Sequence, residues 1–253
     1  MNILDKILDA KRQEIQNHPN TGVPEKREHV RSLKDALFNS GISVIAEIKM
    51  KSPSEGNILP NANPVQIAKD YESAGATAIS VLTDEQFFGG SLEILKSVRD
   101  SVSIPVLRKD FIISNHQIME AANVKADAYL LIAEALNSDK IENLLAFGDE
   151  LGLEALVEFH NPENAEIVAK LAPPIVGVNC RDLKTMTTDI AFFEKMVSIL
   201  PPDSIKVAES GIYTSDDLKY VSDLGYNAAL VGTSLMKTGN PGKALENLLG
   251  GLA

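Results

Sequence analysis

The polar residues that follow the apolar runs of this chain form a consistent set. Glu47, Lys49 and Ser52 lie at the end of SVIAEI, Lys109 near the end of IPVLRKD, and Glu158 near the end of EALVEF. Asn179 and Arg181 end IVGVN, Glu209 and Ser210 end IKVAES, and Gly232, Thr233 and Ser234 follow AALV. Carboxylates and ammonium groups gathered in one partly dry place shift one another's proton affinities, which is what general acid–base catalysis exploits. Glu47 and Lys49 are two apart, so strand alternation puts both on one face, with Ala46 and Ile48 on the other. One such residue alone reads equally well as a rim ion pair. The set as a whole points to an active site.

A second signal suits phosphate. AESGI (208–212) and LVGTSLM (230–236) supply small residues, backbone N–H groups and the start of a short helix. Either segment alone is an ordinary glycine turn. Following two consecutive strands, they make a candidate phosphate cradle.

These residues need a frame that brings their strand ends together. Eight apolar runs recur as candidate strands: 43–48, 78–82, 104–110, 128–132, 154–159, 175–179, 205–210 and 228–232. The stretches between them have helical spacing, as in Ile94 and Val98 or Leu144, Leu145, Phe147 and Leu151. Asn63-Pro64 and Asn161-Pro162 are helix starts, Ser114 with Gln117 fits a capping box, and Asn240-Pro241 opens a last helix after a short one at 233–237. Strand then helix, repeated, means parallel pairing through right-handed crossovers. An open doubly wound sheet is the alternative, but no G-x-G-x-x-G follows the first strand, and eight units suit closure. The expected fold is therefore α/β, a (β/α)8 TIM barrel whose chemistry collects at the C-terminal strand ends.

Two amphipathic segments precede the first strand, around 3–17 (Ile3, Ile7, Leu8, Ile15) and 32–38 (Leu33, Ala36, Leu37). They predict helices that cover a barrel end and part of the site. Residues 1–253 read as one barrel domain, with 1–40 as an N-terminal helical extension. The composition, 44% hydrophobic and 23% charged without a linker tract, fits that reading. A net charge of −11 argues against nucleic acid or an anionic membrane as principal partner. The first residues alternate apolar and charged types, unlike a signal peptide, so the expected location is cytoplasmic.

Other chemistries fit less well. His18, His29, His116 and His160 are scattered without metal-ligand spacing, so no metal site is expected. Cys180 has no second cysteine to pair with, and although Arg181 adjoins it, a small half-buried thiol is the commoner explanation. Neither a G-x-S-x-G elbow nor a Walker loop occurs.

Six segments, VIAEIKMKSPSEG (44–56), LRKDFIIS (107–114), ALVEFH (155–160), GVNCRDL (177–183), AESGI and LVGTSLM, resemble in order and spacing the strand-end motifs of indole-3-glycerol phosphate synthases. The likeness extends to the opening ILDKILDAKRQEI and to TDEQFFGGS (83–91), and the E-x-K-x-x-SPS segment is its most specific part. It implies ring closure of 1-(2-carboxyphenylamino)-1-deoxyribulose 5-phosphate, a small phosphorylated substrate, with decarboxylation and dehydration and without metal or organic cofactor. By the same resemblance Lys109 is the general acid, and Glu158 and Glu47 are carboxylates that stabilise the cationic intermediate. Lys49 and Arg181 would hold the anthranilate carboxylate, and Asn179 the sugar hydroxyls and neighbouring groups. Glu209 and Ser210 match further pocket positions, while Ser52, Gly211, Gly232 and Thr233 match the phosphate site. Phe88, Phe111 and Leu130 would form an apolar wall for the aromatic ring. Cys180 departs from the family, which more often has asparagine there. The resemblance leaves open transient contact with other enzymes of tryptophan biosynthesis. The residues alone also admit a class I aldolase-type barrel, with Lys109 forming a Schiff base, or a barrel that only binds a phosphorylated ligand.

Overall fold

The computed structural model describes residues 3–17, 24, 30–39, 41–182 and 187–252. Its barrel strands are β1 (Ser43–Ile48), β2 (Ala78–Leu82), β3 (Val106–Lys109), β4 (Ala128–Ile132), β5 (Glu154–Phe159), β6 (Ile175–Asn179), β7 (Ile205–Glu209) and β8 (Ala228–Val231), and Lys51–Ser52 pairs antiparallel with Gly56–Asn57 in the loop after β1. Each barrel strand pairs in parallel with its neighbours, and β8 returns to β1 to close the barrel. Three strands are shorter than the apolar runs suggested. Pro105 has no N–H to give the ladder, so β3 starts after it. Ser210, with φ 70°, leaves the extended region and stops β7, and Gly232, at φ −132° and ψ −73°, turns the chain out of β8.

The crossover helices follow the expected starts. Asn63 accepts hydrogen bonds from the backbone N–H groups of Val65 and Gln66 at the head of α3 (Pro64–Ser73). Asn161 accepts from Asn164 N at the head of the helix Pro162–Leu171, and Asn240 from Lys243 N before the helix Pro241–Gly250. The Ser114–Gln117 capping box does not form. Ser114 makes no side-chain cap bond, and Gln117 instead accepts from Ile113 N and donates to Phe111 O, bracing the turn that leaves β3. The reciprocal box occurs at Thr214 and Asp217, where the helix Ser215–Asp223 begins.

Period-two alternation decides what faces the barrel axis. In β1, Val44, Ala46 and Ile48 pack with the surrounding helices, whereas Ile45 belongs to the inner cluster with Leu107, Leu130, Leu156, Ile175 and Val207. Further along the inward rows, towards the C-terminal ends, stand Glu47, Lys109, Glu158, Asn179 and Glu209. Apolar layers below and polar layers above thus come from the same rows of side chains.

The two leading helices cover opposite ends. Leu33 and Leu37 of α2 (Leu33–Leu37) are fully buried in the inner cluster, and Ser32 Oγ and Lys34 N donate to the Glu154 carboxylate at the start of β5. This helix plugs the bottom. Helix α1 (Ile3–Asn17) lies across the top, with Leu4, Ile7 and Leu8 buried beneath it. No described helix is long and apolar enough to cross a membrane.

Truncating the bottom plug should destabilise without touching the mouth. Leu37→Ala removes a fully buried side chain, and we expect a loss of about 3 kcal/mol in urea unfolding with the catalytic constants unchanged. An unchanged unfolding midpoint would show that the plug contributes nothing to barrel stability.

Candidate active site

At the C-terminal mouth three inward strand ends bring charge together. Lys109 Nζ lies 3.0 Å from Glu158 Oε2 and 2.5 Å from Glu209 Oε2. Asn179 Nδ2 donates to Glu158 Oε1 at 2.8 Å, and Asn179 Oδ1 accepts from the Arg181 N–H, so one amide orients the acid and fixes the turn leaving β6. Lys49 Nζ pairs with Glu47 Oε1 at 2.7 Å, as their two-residue spacing implied. All three carboxylates are buried. Two inward positions must be glycine for this to fit. A Cβ on Gly177 would overlap Glu209 Oε1, and one on Gly232 would overlap the Glu47 side chain.

Electrostatics separates the members of the cluster. Burial opposes the Lys109 charge, but Glu158, Glu209 and Glu47 outweigh it and hold the ammonium above the ordinary lysine range. Burial also works against ionised Glu158, yet the Lys109 charge and the Asn179 hydrogen bond keep that carboxyl below its usual range. Glu209 goes the other way. Burial and then the Glu158 charge push it up to about 8, against the pull of Lys109. Its Oε1 is buried without a hydrogen-bond partner. The site therefore holds a persistent cation, a persistent anion and an acid close to its own titration point.

All fifteen residues singled out in the sequence line one cavity with this cluster. Ser210 at φ 70° and Gly211 at φ 72° turn consecutive left-handed residues around the rim. For serine that conformation is strained by about 1–3 kcal/mol, a kind of strain that clusters at functional sites. Beside them, at the end of the neighbouring strand, Gly232 and Thr233 open the short helix Thr233–Met236, whose first N–H groups have no intrahelical acceptor. Ser52 Oγ accepts from Glu55 N, and Glu55 pairs with Lys237 at 2.6 Å, joining the loop after β1 to the segment after that short helix. Phe88 and Phe111 stand with ring centroids 6.0 Å apart, and Leu130 lies on the inner face below. Arg181 borders the opposite side through its bridge to Thr188.

The cover over part of the site expected from the 3–17 segment is α1, and the structure adds Leu4 and Lys11, which the sequence reading did not name. Ile3, Leu4 and Ile7 of α1 roof the cavity. Lys11, one turn on, is buried and contacts Asp84 and Asp110 at 3.1 and 3.0 Å. A signal existed, because Lys11 falls on the apolar stripe of Leu4, Ile7 and Leu8, where a solvated lysine has no place. Cys180 faces away from the cavity as alternation requires. It is buried, its thiol is pushed up to about 12 chiefly by burial, and Sγ lies 3.4 Å from Ser210 O, so it packs rather than reacts. His116 and His160 stand 3.4 Å from Glu120 and Glu134, respectively. His18, His29 and Leu183 lie outside the described residues.

Glu209 gives a stability signature with a definite sign. In the unfolded chain it ionises near the ordinary 4.5, and in the folded protein near about 8. Between those values the folded state binds more protons, so its contribution to stability falls as pH rises. Glu209→Gln should remove that fall. Thermal melts across this range should show wild type losing stability relative to the variant, and parallel pH profiles would refute the raised pKa of Glu209.

The same mouth can be compared with proteins of known kind. Residues 4–248 match the protein-family model described as indole-3-glycerol phosphate synthase. The chain is 45% identical over 253 residues to the indole-3-glycerol phosphate synthase of Halalkalibacterium halodurans, covering 98% of this chain and 97% of that one. It is 44% identical over 252 residues to that of Priestia megaterium, covering 98% of both chains. For the Bacillus pumilus protein the identity is 43% over 253 residues, covering 98% of this chain and all of the relative. Because the match runs through every strand of the barrel and nearly the full length of each relative, the chain belongs to the indole-3-glycerol phosphate synthase family.

Proposed function

We propose that this enzyme converts 1-(2-carboxyphenylamino)-1-deoxyribulose 5-phosphate into indole-3-glycerol phosphate, carbon dioxide and water, a step of tryptophan biosynthesis. The observation that carries the assignment of roles is the Lys109 ammonium held between Glu158 and Glu209. A lysine stabilised in its charged form is an acid and a poor nucleophile. That favours ring closure over the Schiff-base alternative, which needs a neutral amine.

In this reading the phosphate lies against Ser52, Gly211, Gly232 and Thr233, and the aromatic ring against Phe88, Phe111 and Leu130. Lys49 and Arg181 hold the carboxylate that will leave, and Ser210 lines the rim. Lys109 gives its proton to the ketone oxygen as the ring carbon bearing the carboxylate attacks, forming the carbon–carbon bond and a tertiary alcohol. The positive charge then resides on the ring and its nitrogen, where Glu158 and Glu47 offset it. Breaking the bond to carbon dioxide returns its electron pair to the ring. Loss of a proton and of the hydroxyl as water then gives the indole. Asn179 keeps Glu158 aimed at the cationic face, and Glu209, near its titration point, exchanges protons with Lys109 between steps.

The proposed steps call on side-chain acids and bases alone, so the enzyme is read as needing no metal or organic cofactor. Its partner is a small phosphorylated molecule. The net charge of −11 supports excluding nucleic acid and anionic membranes as principal partners. A cytoplasmic place, with transient contact to other enzymes of the pathway, belongs to the same proposal.

The test follows indole fluorescence with this substrate in the presence of a chelator. Wild type should turn over. Lys109→Met, which keeps the length and loses the proton, should lower kcat by about 10²–10⁴-fold. Turnover retained in that variant would remove Lys109 from the acid role, and borohydride trapping of a sugar phosphate on Lys109 would favour the aldolase reading.

A further inference from the structure

We propose that Lys11 is a positioning residue for this active site: its buried ammonium, seated between Asp84 and Asp110, locks α1 over the mouth and fixes the strand ends that carry Lys109 and the phenylalanine wall. The inference deepens the reading above and rests on it.

Lys11 is 1% exposed, and its Nζ lies 3.1 Å from Asp84, 3.0 Å from Asp110 and 2.9 Å from Glu14 of its own helix. Both aspartates are buried. Removing such charges from water is expensive, and an apolar residue on the same stripe would pack the helix with less penalty. What an apolar residue lacks is direction, because apolar contact tolerates sliding and rotation that a lysine shared by two fixed carboxylates does not.

Each carboxylate is itself built into the wall of the site. Asp110 directly follows Lys109, accepts from Arg108 at 3.1 Å and from Thr83 Oγ1 at 2.6 Å, and accepts from the backbone N–H of Phe111 at 2.8 Å. Thr83 N donates to Lys109 O, which ties the end of β2 to the end of β3. Asp84 caps the short helix Glu85–Phe88 by accepting from Phe87 N at 2.7 Å, and so sets where Phe88 stands. One ammonium therefore crosslinks α1, the turn after β2 and the end of β3. Ile3, Leu4 and Ile7, carried by the same helix, close the cavity above. Burial opposes the Lys11 charge, but Asp110, Glu14 and Asp84 hold it above the ordinary lysine range.

Lys11→Met keeps the bulk and removes the crosslink. The roof then loses its register, so substrate binding and the placement of Lys109 both suffer. We expect KM to rise about tenfold or more and kcat to fall about threefold to tenfold. Hydrogen exchange of the α1 amides should accelerate while the barrel strands keep their protection. Lys11→Arg, which can reach the same carboxylates, should recover most of the loss.

A folded Lys11→Met with wild-type KM, kcat and α1 protection would overturn the proposal. So would a uniform loss of protection across the barrel, which marks a residue of general stability. If Lys11→Met does not fold, Lys11→Gln, which retains a donor, takes its place, and failure of both to fold would likewise overturn it. Absence of wild-type turnover would count against the assigned reaction instead, and the exchange measurement would still decide whether Lys11 anchors α1.

Discussion

Lys109 carries its charge between two buried glutamates, and a third, Glu47, stands on the same inner layer. In a place where water is scarce this balance is demanding, because one cation cannot fully offset three carboxylates. Lys49 takes up Glu47, Asn179 takes up one oxygen of Glu158, and Glu209 is left with a partnerless oxygen and a raised affinity for its proton. Much of the surrounding structure follows from that unequal division. Gly177 and Gly232 make room for the carboxylates, and the Asn179 amide couples the orientation of Glu158 to the turn bearing Arg181.

The opposite end of the barrel shows how a structural charge differs from a functional one. Asp127 is fully buried there, but its two oxygens accept from Arg31 N, Arg99 and Val106 N, a set of fixed donors that satisfies both. Its network joins the segment before α2 to the start of β3 and adds to the cooperativity of the bottom layer. Burial alone therefore does not mark a site. The distinguishing feature at the top is incomplete satisfaction, which stores the proton affinity that a catalytic sequence of transfers needs.

Much of this was legible in the sequence because strand alternation is a strict rule. A buried strand through Glu47 places Ile45 and Glu47 on one inward row, and the same holds for Leu107 with Lys109 and Leu156 with Glu158. Features set by tertiary packing were less accessible. Ser114 and Gln117 have the spacing of a capping box, yet the Gln117 side chain serves the turn leaving β3 and the Ser114 hydroxyl makes no hydrogen bond. The two leading helices have similar amphipathic patterns, and nothing in their periodicity says that one plugs the bottom and the other roofs the top. Lys11 was visible as a charge on an apolar stripe, but its partners come from segments about seventy and a hundred residues away in sequence.

The division between strand and loop residues bears on how one site can be both exact and accessible. Glu47, Lys109, Glu158, Asn179 and Glu209 are backbone-locked in ladders that pair on both sides, so their mutual geometry is set by the barrel itself. In the proposed mechanism these groups transfer protons, which depends steeply on such distances, so they belong on elements that cannot drift. Ser52, Phe88, Arg181 and Thr233 stand beyond the strand ends, on segments held to one another by side-chain ties such as Glu55 to Lys237 and Lys51 to the Gln86 carbonyl. These ties are partly exposed and individually weak, which suits groups that must admit a substrate and release a product. The buried Lys11 crosslink lies between the two regimes, transmitting the rigidity of β2 and β3 to the helix that roofs the mouth.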